Sequence, residues 1–82
     1  MDESRDPFLV ELGVRCRERR LDLRLQQKDV AAYIAMTRSM YSLVEQGRKQ
    51  RIAPEQLARL ADVLETTTDY LLQRSEERGR VP

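Results

Sequence analysis

Histidine and tryptophan are absent from the 82 residues, cysteine occurs once, at Cys16, and three tyrosines and one phenylalanine supply all the aromatic surface. Each scarcity removes a class of function. With no His and a lone Cys, one chain can assemble neither a Cys/His zinc cluster nor a Ser-His-Asp or Cys-His pair, so no catalysis, metal or cofactor is expected. No apolar run approaches the roughly 20 residues a membrane-spanning helix needs. The opening Met1-Asp2-Glu3-Ser4-Arg5-Asp6 is acidic where a signal peptide is basic. The expectation is a cytoplasmic chain with no membrane partner, whose thiol stays reduced. A chain of this length buries one modest core, which leaves no room for a separate ligand-sensing domain.

The net charge of +1 conceals an asymmetry. Residues 1–14 carry −3, residues 15–51 carry ten Lys or Arg against four acids for +6, and residues 52–82 carry −2. A basic centre between acidic ends fits a face presented to a polyanion, although a solvated helix surface has the same composition.

Helical spacing runs through the chain. Asp6-Pro7 reads as cap and first residue of a helix whose Leu9, Leu12, Cys16 and Leu23 share one face, with Arg15, Arg17, Glu18, Arg19 and Arg20 filling the others up to an end near Asp22–Arg24. A second, short helix is predicted over Gln27–Ile34, with Val30, Ala31 and Ile34 inward. Ala35-Met36-Thr37 then forms a turn in which Met36 plugs the core and Thr37 caps a third helix over Arg38–Gln46, stopped by Gly47. After the basic loop Arg48-Lys49-Gln50-Arg51, Pro54-Glu55 opens a fourth helix with the stripe Leu57, Leu60, Ala61 and Leu64. Thr67 caps a short fifth helix beginning Asp69-Tyr70-Leu71-Leu72. No strand alternation or internal repeat is present, so the expected fold is all-α: a compact five-helix bundle over 7–73, between a flexible start at 1–6 and a charged, fraying tail at 74–82.

The second and third helices with their tight turn make a helix-turn-helix. The text Gln27-Lys28-Asp29-Val30-Ala31, Ile34-Ala35-Met36-Thr37-Arg38-Ser39 and Val44-Glu45-Gln46-Gly47-Arg48 resembles the Cro and phage-repressor (XRE) family. The likeness extends from Leu12-Gly13-Val14-Arg15 through Leu57-Ala58-Arg59-Leu60-Ala61 to Thr67-Thr68-Asp69-Tyr70-Leu71-Leu72. The resemblance implies a lambda-repressor-like domain that binds double-stranded DNA as a homodimer and regulates transcription, as a repressor or autoregulator, at a near-palindromic operator. Tyr41 and Val44 face inward, so Arg38, Ser39, Ser42 and Leu43, with Met40 at the margin, are the base-reading positions. Arg38 either grips O6 and N7 of guanine or meets phosphate; Leu43 or Met40 can pack on a thymine methyl group. The resemblance also implies phosphate contacts at Gln27, Thr37, Gln46, Arg48, Lys49 and Arg51. The resemblance pairs Glu45 with Arg20 as a structural ion pair.

Several residues depart from the family pattern. Ala35 and Glu65 stand where Gly is usual, Arg19 and Thr66 where apolar residues are usual, and Gln26 where Ser or Thr normally caps. Cys16, Tyr41 and Tyr70 read as core, Tyr33 as surface, and Leu71 and Leu72 as either core or dimer contacts. The competing function is a protein-interaction module, such as an antitoxin or the partner of a larger regulator, to which the tail from Ser75 onward would bind.

Overall fold

The computed structural model describes residues 6–49 and 51–79. Residues 1–5 of the expected flexible start at 1–6, Gln50 of the basic loop and the tail end at 80–82 lie outside the described residues. Five helices follow in order: α1 (Pro7–Asp22), α2 (Gln27–Tyr33), α3 (Arg38–Glu45), α4 (Pro54–Val63) and α5 (Thr68–Leu71), with no strand among the described residues. The fold is all-α. Helices α2 and α3 each end one residue earlier than the spacing predicted, because Ile34 and Gln46 leave the helix as C-terminal caps.

Starts are chemical. The Asp6 carboxylate accepts from the Phe8 N–H at 2.8 Å, Thr37 Oγ1 accepts from Met40 N–H at 3.1 Å, and Thr67 Oγ1 accepts from Tyr70 N–H at 3.0 Å. At α2 the Gln26 side chain caps nothing. Instead Asp29, three residues on, accepts from the Gln26 N–H at 3.0 Å, the returning half of a capping box.

One core joins all five helices. Cys16, Val30, Ile34, Tyr41, Leu60, Leu64 and Leu71 are fully buried, Met36 plugs the bundle from the turn, and Leu9, Leu25, Ile52, Leu57 and Val63 pack around them. Leu71 is therefore a core residue, unavailable to a partner, while Leu72 is half-buried. Two close approaches set the α1–α3 crossing. Gly13 lies under the Val44 and Glu45 carbonyls, and Gly47, at φ +76°, lies against the Val10 backbone.

All five helices end in the same Schellman geometry, a left-handed residue followed by a bond back to the last turn. After α2, Ala35 N–H donates to Ala32 O and Met36 N–H to Ala31 O; after α4, Glu65 N–H donates to Asp62 O and Thr66 N–H to Ala61 O. Only α3 uses glycine for this. Arg24, Ala35, Glu65 and Gln73 adopt φ of 58°, 61°, 53° and 64°, in a region that crowds any Cβ. The two departures at Ala35 and Glu65 thus keep the turn geometry and accept strain. Ala35→Gly and Glu65→Gly are each expected to stabilise the fold by about 0.5–1 kcal/mol after the extra entropy of the unfolded chain is subtracted, which denaturant titration checks.

Arg19 answers one departure with another. Its guanidinium donates to the carbonyls of Leu64 and Glu65 at 3.0 and 3.1 Å, satisfying the C-terminus of α4 where a Gly is missing. Arg15 corrects the sequence reading outright. Placed by spacing on an outward face, it is only 7% exposed, because α5 and the following segment cover it. It donates to Tyr70 O at 2.7 Å, Ser75 O at 2.9 Å, Glu11 at 2.9 Å and Glu76 at 3.1 Å, and its guanidinium stacks 4.5 Å from the Tyr70 ring centroid. The hydrogen bonds from Arg15 to Glu11 and Glu76, with burial opposing them, raise its pKa further. Arg78 pairs with Asp22, so the described part of the tail runs back along α1.

Candidate nucleic-acid interface

Helix α3 is anchored by one face and free on the other. Tyr41 and Val44 are buried, while Arg38, Ser39, Met40, Leu43 and Gln46 are exposed and Ser42 is half-buried. With 100° per residue, the exposed positions wrap the outer half of the helix, and Thr37, exposed at its start, is occupied as the cap. Arg38, Ser39 and Ser42 line an open concavity with Gln27 of α2, and a second concavity beside Arg38 is lined by Arg20, Leu25, Gln26, Gln27 and Lys28. The start of α2 and the polar flank of α3 therefore face one groove.

Side chains in this region are partly pre-arranged. Gln46 Nε2 donates to Ser42 Oγ at 2.9 Å, one turn back. Lys49 Nζ donates to the Arg51 carbonyl at 2.6 Å, which folds the basic loop on itself with Arg48 and Arg51 exposed. Such a loop after a helix carries fixed positive charge with little sequence information of its own.

Behind the face lies a charged knot. Arg20 Nε and Nη2 donate to the two carboxylate oxygens of Glu45 at 2.6 and 3.0 Å, and Arg20 Nη1 donates to Leu25 O at 2.9 Å. Gln27 Nε2 donates to Glu45 Oε1 at 3.0 Å, so the amide of Gln27 is turned inward. Side-chain exposure is 12% for Arg20 and 4% for Glu45, which makes this a buried, bidentate pair linking α1 to α3. Burial pushes the Glu45 carboxyl upward, but the Arg20 and Gln27 donors outweigh it and hold the group below the ordinary carboxylate range. The neighbouring Tyr41 hydroxyl is buried without a partner in hydrogen-bonding geometry, and burial pushes its pKa up. Cys16 is also buried, and the same cause keeps its thiol protonated.

Spacing could not show that Gln27 spends its amide on Glu45, because that contact joins residues 18 positions apart. It also missed the supporting roles of Arg15, Arg19 and Gly13. For Arg19 a signal existed: a cation in an apolar slot and a non-Gly residue ending α4 are complementary anomalies.

No group of three or more His, Cys, Asp or Glu among the described residues is placed to hold a metal, and no helix there is long and apolar enough to cross a membrane. No curated protein and no solved structure matches the chain. A family model described as Helix-turn-helix matches residues 17–71, from the middle of α1 to the last residue of α5. With that match over more than half its length and the α2–turn–α3 geometry above, the chain belongs to the helix-turn-helix family of the Cro/repressor (XRE) type, a family of DNA-binding regulators.

Proposed function

We propose that this protein is a cytoplasmic, homodimeric transcriptional repressor or autoregulator that inserts α3 of each copy into successive major grooves of a near-palindromic operator. The half-sites would lie about 34 Å apart, one turn of the duplex. The observation that carries this reading is the free outer face of α3, with Arg38 at its start and the basic loop at its end. Arg38 is exposed and beside the groove shared with α2, where a guanidinium can donate to O6 and N7 of guanine. Arg48, Lys49 and Arg51 supply phosphate contacts that fix register. The N-terminal turn of α2 adds backbone donors for another phosphate, with Gln27 behind them. In the competing protein-interaction reading the tail from Ser75 onward would order on a partner; in the structure the Ser75 carbonyl and the Glu76 carboxylate accept from Arg15 instead.

Selection from a random duplex library should enrich an inverted repeat with that spacing; enrichment of none sinks the proposal. On the selected site, Arg38→Ala is expected to relax preference at one base pair per half-site by about 1–3 kcal/mol. Lys49→Ala should weaken all sequences alike and reduce the salt slope by about 1. Identical behaviour of the two variants would overturn the division between reading and anchoring.

A further inference from the structure

The outer face of α3 is divided lengthwise, and the division points to a specific chemical group. Arg38, Ser39 and Ser42 line the groove shared with Gln27, so they form the flank next to α2. Met40 and Leu43, three residues apart and about 60° apart around the axis, form the opposite flank. Both stay substantially exposed, 40% and 38%, although neither can donate or accept a strong hydrogen bond. They sit between Arg38 and the loop bearing Arg48, Lys49 and Arg51, where the complementary partner is a polyanion and not an apolar protein surface.

A major groove offers one apolar group to such side chains, the C5 methyl of a pyrimidine. Thymine always carries it, and cytosine carries it only when methylated. We propose that Met40 and Leu43 form a methyl-reading edge, so that α3 takes a C5-methylated pyrimidine, thymine or 5-methylcytosine, beside the base read by Arg38. This inference rests on the DNA-binding reading above and adds to it a chemical class of base. It also makes the protein sensitive to cytosine methylation at that position.

The test uses the purified full chain and the selected duplex with single-base replacements in each half-site. Exchanging thymine for uracil, or 5-methylcytosine for cytosine, removes one methyl and leaves every hydrogen-bonding edge intact. At one position, each exchange should weaken the wild-type protein by about fourfold per methyl, the equivalent of one buried methylene. In Met40→Ala/Leu43→Ala both ratios should fall to about 1 with the melting temperature held, since both side chains are exposed. Wild-type ratios of about 1 at every pyrimidine overturn the inference while leaving the operator reading intact. Ratios that persist in the double variant also overturn it, because the methyl would then act through other residues or DNA shape. Failure to select any site removes both readings together.

Discussion

Glu45→Ala is expected to lower stability by about 3–5 kcal/mol, a large share of the 5–15 kcal/mol typical of a small domain. The reason is what the substitution leaves behind. Arg20 is held at 12% side-chain exposure under α3, and without Glu45 its guanidinium keeps, among the described residues, only the Leu25 carbonyl as a hydrogen-bond acceptor. Gln27 Nε2 loses its acceptor as well. Replacing both charges should be far milder than replacing one, because a buried pair roughly balances its own desolvation. The double variant Arg20→Met/Glu45→Leu is therefore expected to recover most of the loss. A strictly additive cycle in denaturant titrations would refute the coupling.

The same pair carries a pH dependence whose sign follows from the depressed pKa. Glu45 gives up its proton more readily folded than unfolded, so its contribution is complete above the unfolded value of about 4.3 and disappears as pH falls through the lower folded value. Glu45→Gln should accordingly differ most from wild type near neutrality, and the two stability curves should converge in acid. A gap constant from pH 7 to pH 3 would show that the charge on Glu45 is not what matters.

Gly13→Ala is the second large effect, and here two principles disagree in sign. Helix propensity alone predicts about 1 kcal/mol of stabilisation in the middle of α1. The structure predicts loss. An added Cβ would stand 2.5 Å from the carbonyl oxygens of both Val44 and Glu45, backbone atoms at the end of α3 that cannot swing aside. Overpacking of this kind costs about 1–3 kcal/mol, sometimes more, so the net expectation is destabilisation of up to about 2 kcal/mol. Because relief requires α3 to move away from α1, DNA affinity should fall along with stability. A more stable variant with unchanged affinity would show that the two helices separate easily.

These two sites show where sequence and structure divide. Helix starts were legible because caps are local: Asp6, Thr37 and Thr67 act on N–H groups two or three residues away. The outer face of α3 was legible for the same reason, since Tyr41 and Val44 already define its inner side by spacing. Arg15 was misread because periodicity describes one helix and knows nothing of the segment that covers it from 55 or more residues away.

By itself the sequence determined the all-α class, the five helices, the N-caps at Asp6, Thr37 and Thr67, and which side of α3 stays free, all through interactions spanning a few residues. Tertiary structure alone decided that Gly13 seats α3, that Arg19 and Arg15 close the ends of α4 and α5, and that Gln27 joins Arg20 on Glu45. Those depend on distances between residues far apart in the chain, which only packing brings within hydrogen-bonding or van der Waals range.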